Sequence, residues 1–212
     1  MSHIAEQYAK DLGVRIGSPN ISNHFYPLLA DKFITFHTNN KKVPARHYAH
    51  WPIVLRLLKE RLSPHNIKIV QTGGPDDPPY PMCDLQTQGC SFKQMAYIIQ
   101  RSLLHLGIDS LPVHLASVYD KKIVALYSNI FPECSHPLWN KENDTRLLSP
   151  DFSKTKPSFQ STEPDGNRVD GIKPELIAAN VLDLLEIESD LSGYKTLSTG
   201  DHYHNDILEA IP

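Results

Sequence analysis

With 212 residues, 40% of them apolar, and a formal net charge of −3, the chain has enough apolar material for a packed core and too little basic charge for a broad nucleic-acid footprint. Its longest cation runs are Lys41-Lys42 and Lys121-Lys122, no stretch has the apolar length of a bilayer span, and the polar start Met1-Ser2-His3-Ile4-Ala5-Glu6 lacks a signal peptide's apolar centre, which predicts a soluble, cytoplasmic protein. The three cysteines, Cys83, Cys90 and Cys134, form no CxxC pair and read as reduced thiols rather than a disulfide framework or a zinc site.

In chain order, residues 3–12 set Ile4, Ala5, Tyr8 and Leu12 on one helical face ahead of Gly13, which predicts a short amphipathic helix followed by a linker to about residue 30. Lys32 to His37 reads as a buried strand, and Trp51, Val54, Leu55, Leu58 and Leu62 recur at helical spacing over about 47–63. Ile67 to Gln71 is a second strand, closed by Thr72-Gly73-Gly74-Pro75-Asp76-Asp77-Pro78-Pro79, whose Gly and Pro density excludes regular structure. Ser91 and Gln94 form a capping box for a helix carrying Phe92, Met95, Ala96 and Ile99. The apolar run Leu103 to Ile108 ends at Asp109-Ser110, where Ser110 suits an N-cap and Pro112 the first helical turn, and Lys122 to Tyr127 supplies a fourth strand. The order βαβαβαβ predicts an α/β fold: a Rossmann-like open parallel sheet with helices on both faces.

Residues 129–171, rich in Pro, Ser, Asn and Asp, are predicted to be an irregular insertion. Ile172, Ile177, Val181, Leu184 and Leu185 behind Pro174-Glu175 predict a last helix to about residue 187, and Tyr194 to Pro212 reads as a hairpin around Gly200 or the start of something larger. The expected organisation is an amino-terminal helix and linker over 1–30, a Rossmann-like domain over 31–187 and an irregular carboxyl-terminal extension over 188–212.

The turn at Asp109-Ser110 carries most of the chemistry. N–H groups at a helix start, backed by the positive end of the helix dipole and lying beyond a strand's carboxyl end, favour an anion such as a diphosphate. The strand ends at His37, Gln71 and Ile108 are expected on one sheet edge. Asp109 and Ser110 then orient a ligand through side chain and amide, or simply cap the helix. His114, in the helix's first turn, reaches the same ligand or packs in the core. Arg46 and Lys42 neutralise a diphosphate or form a solvated basic loop, and Thr38 donates a hydroxyl or turns the chain. Asp76 and Asp77 accept from a ribose or base, or form a solvated turn. His47 with His50, and His202 with His204, have metal-compatible spacing, but no Cys or carboxylate stands at ligand spacing, so both pairs read as surface histidines and no metal or cofactor is expected. There is no G-x-S-x-G elbow, Walker loop or G-x-G-x-x-G.

Asp109-Ser110-Leu111-Pro112-Val113-His114-Leu115-Ala116 resembles the D-S-G-P-x-H-L-A motif of glycosyltransferase family nine, the heptosyltransferase-like group, in its carboxyl-terminal half. Lys122 to Tyr127 resembles the strand after that motif, Ile34 to His37 the first strand of that half, Arg46 through Trp51 its basic–aromatic stretch, and Val70-Gln71-Thr72-Gly73-Gly74-Pro75 its strand ending in T-G-G-P, all in order over about residues 30–187. Leu111 stands where the family has Gly. The resemblance implies one half of a GT-B fold, a nucleotide diphosphate sugar as substrate, and metal-independent, inverting transfer. Family members have a first Rossmann-like half that holds the acceptor and the base, whereas about 30 residues precede the first strand here. The implied consequence is a donor half that needs an acceptor-binding partner chain or a second copy of itself; Asp201, His202 and His204 are the in-chain substitutes for a base. The alternative is a non-catalytic module that keeps this fold and docks a partner through 1–30 and 188–212.

Overall fold

The computed structural model describes residues 2–38, 46–128, 130–151, 169–188, 190–199 and 202–210. Its centre is a six-stranded, all-parallel sheet built from β1 (Phe33–His37), β2 (Lys68–Gln71), β3 (Leu85–Gln86), β4 (Leu104–Ile108), β5 (Lys122–Leu126) and β6 (Thr145–Leu148), in the order β3-β2-β1-β4-β5-β6. The helices are α1 (Ile4–Asp11), α2 (Trp51–Leu62), α3 (Phe92–Arg101), α4 (Leu111–Val118), α5 (Pro132–Ser135) and α6 (Pro174–Leu184). A separate antiparallel pair, β7 (Tyr194–Thr199) and β8 (His202–Ala210), forms the expected hairpin; Gly200 and Asp201 lie outside the described residues.

The central strands are buried along their whole length because helices cover both faces, which is why they read as near-continuous apolar runs. One face holds the larger core, where Trp51, Leu55 and Leu58 of α2 and Ile177 and Val181 of α6 pack on Ile34, Phe36, Leu106, Val124 and Leu126. On the other, Met95 and Ile99 of α3 and Val113 and Ala116 of α4 cover Ile123 and Ala125. The predicted capping box opens α3: Ser91 accepts from the Gln94 amide at 3.3 Å while Gln94 accepts from the Ser91 amide at 3.0 Å. Within the segment expected to be irregular, β6 extends the sheet and α5 precedes it; Asn129 and residues 152–168 lie outside the described residues. The prediction failed there because the four-residue β6 is half-buried at a sheet edge and so has no apolar alternation.

One other expectation changes. α2 starts at Trp51 rather than near 47, after an irregular segment held by Tyr48, whose hydroxyl donates to the Ile172 carbonyl at 2.7 Å, and by Asp170, which accepts from the Ala49 amide at 2.7 Å. α1 forms as expected, yet only Ala9 of its residues is buried, while Tyr8 is 62% and Leu12 75% exposed. Its apolar stripe therefore does not face the core. All three cysteines are free, and burial pushes the Cys83 thiol up to about 12. Among the described residues no helix is long and apolar enough to cross a membrane.

Candidate functional site

The strand order reverses direction between β1 and β4, and in open α/β sheets the crevice beyond the strands' carboxyl ends at this switch point is where ligands bind. His37 ends β1 and lies in register with Gly107 of β4, whose next residues, Asp109 and Ser110, lead into α4. The approach is close: a Cβ on Gly107 would stand 2.8 Å from the His37 carbonyl oxygen and 3.1 Å from His105 Nε2, so a side chain there would force the strands to shift.

Asp109 is the centre of the polar cluster. Its amide donates to the Leu126 carbonyl at 2.9 Å, fixing it to β5. Its carboxylate, 6% exposed, meets Arg46 Nη2 at 2.9 Å, and Arg46 Nη1 donates to the Asp109 carbonyl oxygen at 2.7 Å, so one guanidinium grips both the side chain and the backbone of the turn. On the carboxylate's other oxygen, His114 Nε2 stands 3.6 Å away. The chain after Arg46 runs into an aromatic cluster, where the Trp51 ring meets Phe36 edge-on at 4.8 Å and Tyr48 at 5.0 Å between centroids.

Ser110 occupies the N-cap position of α4, but its hydroxyl does not bond the helix's first turn. It donates instead to the Ile108 carbonyl at 3.0 Å and meets His37 Nδ1 at 3.1 Å. Of the first turn's backbone groups, Pro112 carries no N–H and the Val113 N–H donates to the Ser110 carbonyl at 3.1 Å, so Leu111 is the residue left to supply an N–H that the turned-away hydroxyl does not take. Leu111 begins the helix 56% exposed, with its backbone in the ordinary helical region.

His37 ties three strand ends together, since its Nε2 faces Asp77 at 3.6 Å in the loop after β2. Asp77 also accepts from the Gly74 amide at 2.8 Å, and Gly73, at φ 152°, leaves the carboxylate its space: a Cβ there would fall 2.1 Å from Asp77 Oδ2. Beneath His37, Thr35 Oγ1 bonds His105 Nδ1 at 3.0 Å. His105 Nε2 is buried with no hydrogen-bond partner among the described residues, and burial, reinforced by the charge of His37, lowers the ring's pKa to about 3, so it is neutral.

Of the predicted site residues, Asp109, Ser110, Arg46 and His114 thus come together. Thr38 is buried and hydrogen-bonded to Tyr80 rather than presented at the edge. Asp77 organises its loop, Asp76 is exposed, and Lys42 lies outside the described residues. His50 is buried against the Tyr48 ring at 5.3 Å, correcting the surface reading of that histidine, while His47 is exposed. His202 and His204 lie on β8, whose side chains are outside the described set. Among the described residues no three His, Cys, Asp or Glu side chains group as metal ligands. His37 was anticipated as a strand end on this edge but not for its side chain, and His105 was not anticipated at all. Their only sequence signal was a histidine inside an otherwise apolar strand.

No protein-family model matches the chain, and no curated protein matches it. Solved structures do. The ADP-heptose LPS heptosyltransferase II of E. coli superimposes with a TM-score of 0.57 at 14% identity, over 85% of this chain and 50% of that one. A family 9 glycosyl transferase from Veillonella parvula gives 0.58 at 18%, over 87% and 51%. The E. coli heptosyltransferase WaaC with ADP gives 0.54 at 14%, over 84% and 54%. The chain spans about half the length of each of these structures, and its Rossmann-like fold is that of one half of a heptosyltransferase.

Proposed function

We propose that the chain is a nucleotide-sugar-binding, glycosyltransferase-like domain corresponding to the donor half of such an enzyme. The observation that carries this reading is the convergence, at the β1–β4 switch point, of the Arg46–Asp109 clamp, His114 and the start of α4, whose cap hydroxyl is turned away. A diphosphate set against this helix start would lie along the helix dipole, with the Leu111 N–H and the Arg46 cation as its partners, and Asp109 would hold that cation in place. Similarity of fold to the heptosyltransferase structures supports the reading at that level.

Inverting, metal-independent transfer by this site would further require an acceptor held opposite the donor and a base to take its proton. The acceptor wall is assigned to a second domain, a partner chain or a second copy. A non-catalytic docking module is the second reading, favoured by the exposed Tyr8, Leu12, Val14, Phe25 and Leu29 along the amino-terminal segment.

Calorimetry of the full chain with ADP, GDP and UDP and their sugar esters tests the proposal. Binding by at least one nucleoside diphosphate is expected, weakened about tenfold or more in Arg46→Ala and Asp109→Ala. Thermal melting checks that both variants stay folded. If no nucleotide binds, or if both folded variants bind as the parent does, the donor site is not here and the docking module stands.

A further inference from the structure

The His37 ring lies between two loops that meet at the crevice, with Nδ1 3.1 Å from Ser110 Oγ and Nε2 3.6 Å from the Asp77 carboxylate. A carboxylate only accepts, so the nitrogen facing Asp77 carries a hydrogen. The Ser110 hydroxyl has one hydrogen and two acceptors in reach, the Nδ1 of a neutral His37 and the Ile108 carbonyl oxygen at 3.0 Å. While His37 is neutral, Nδ1 competes for that hydrogen. Once His37 is protonated, Nδ1 becomes a donor, and the hydroxyl accepts from it and turns its own hydrogen away, to Ile108 or to a ligand oxygen. We propose that His37 is a proton-operated switch on the Ser110 hydroxyl, so that a diphosphate ligand binds together with a proton taken up by His37; the inference rests on the donor-site reading above.

The groups around the ring leave this role to His37. In the loop after β2, Asp77 supplies a counter-charge held in place by the Gly74 amide at 2.8 Å, while Asp76 before it is exposed. On β4, His105 is kept neutral by burial, with its pKa lowered to about 3, and takes no proton near pH 7. In the turn before α4, the Asp109 carboxylate is already matched by Arg46 at 2.9 Å and faced by His114 at 3.6 Å. Thr35 and Gly107 bring no charge, and Lys41 and Lys42 lie outside the described residues.

Two effects then couple ligand and proton with the same sign. The His37 side chain is 8% exposed, so water screens its charge little, and a dianion at the start of α4 favours the positive ring over the neutral one. By reciprocity the positive ring favours the dianion. The second effect is directional: the protonated ring releases the Ser110 hydroxyl to donate, whereas the neutral ring keeps it. His37 acts through Ser110 without touching the ligand and is a positioning residue.

The test is calorimetry of the full chain with ADP-glucose, GDP-glucose and UDP-glucose, whose doubly esterified diphosphates do not titrate between pH 6 and 8. Titrations at neutral pH in PIPES and in Tris, buffers of unlike ionisation heat, count the protons taken up. The parent should take up a fraction of a proton per ligand and bind several-fold more tightly, at most about tenfold, for each unit of pH lowered from 8 to 6. His37→Gln, neutral throughout, should abolish the uptake and flatten the profile, whereas a merely structural role would lower affinity equally at every pH. Asp77→Asn, which removes the counter-charge and keeps the ring, should weaken binding most at pH 8 and shift the rise to lower pH; it carries the test if melting shows His37→Gln unfolded. His114→Gln should weaken binding and keep the uptake. Binding by the parent that ignores pH, an uptake that survives in folded His37→Gln, or a profile unmoved in Asp77→Asn overturns the switch and leaves the donor site intact. Absence of nucleotide binding at every pH removes the donor site and the switch with it.

Discussion

The sheet's two faces are built from the same strands and yet differ in kind. Towards α2 and α6, β1, β4 and β5 present Ile34, Phe36, Leu104, Leu106, Ile108, Val124 and Leu126, an unbroken apolar surface. Towards α3 and α4, the same strands present Thr35, His37, His105 and Gly107 between Phe33, Ile123 and Ala125. The first face is a core that any well-fitting apolar set would fill. The second carries a polar column that leads from the sheet's middle to the switch point, and it works only if each polar group keeps its state and each glycine its bare Cα. Stability is concentrated on one face and the candidate site grows from the other.

The largest expected effect belongs to the apolar face. Trp51 is fully buried between Phe36 and Tyr48, and Trp51→Ala should cost about 3–5 kcal/mol in urea unfolding. Trp139→Ala, at an exposed site, should cost far less. Equal costs would mean that the apolar face does not carry the stability assigned to it.

The polar face should announce itself through pH. His105 has its pKa pushed from 6.5 to about 3, so between those values the unfolded chain binds a proton that the native chain does not. Its contribution to stability is therefore complete above about pH 6.5 and is lost as the pH falls towards 3, with a slope approaching about 1.4 kcal/mol per pH unit. Urea unfolding at pH values from 7.5 to 5 reads that slope above most carboxylate titration. His105→Gln, neutral throughout, should flatten it even though its absolute stability is lower. A slope unchanged in the variant would mean that other histidines set the acid sensitivity and that the polar column is passive.

What could be read in the sequence tracks how local the interactions are. The box joining Ser91 and Gln94 closes within four residues and was visible in the bare sequence, as were the apolar runs of β1, β4 and β5. The Asp109-Ser110 turn was legible as a strand end meeting a helix start. What surrounds it was not: the bonds of Ser110 to His37 and of Arg46 to Asp109 span 73 and 63 residues and exist only once β1 and β4 are neighbours. β3 has two residues and β6 a paired Arg146, bonded to Asp183 at 2.9 Å, so neither edge strand advertised itself by burial. α1 formed as its spacing predicted, but amphipathic spacing says only that a face is apolar and leaves open what covers it.

The smallest effect is also the sharpest comparison, for α3 and α4 both start from a serine. Ser91 caps its helix in full, and Ser91→Ala should cost about 1 kcal/mol of stability, with no consequence at the switch point. Ser110 caps nothing with its side chain, so Ser110→Ala should cost about the same or less, through the lost bond to His37 rather than through the helix. The two variants would be indistinguishable in an unfolding experiment. They should part in calorimetry with a nucleoside diphosphate, where Ser91→Ala binds as the parent does and Ser110→Ala binds more weakly, because the hydroxyl that His37 holds at the edge of the crevice is gone. Ser110→Thr, which keeps the hydroxyl, should restore most of the loss. If Ser110→Ala behaves as Ser91→Ala does in both measurements, the turned-away hydroxyl is a packing detail of the turn, and the start of α4 loses its claim to a ligand.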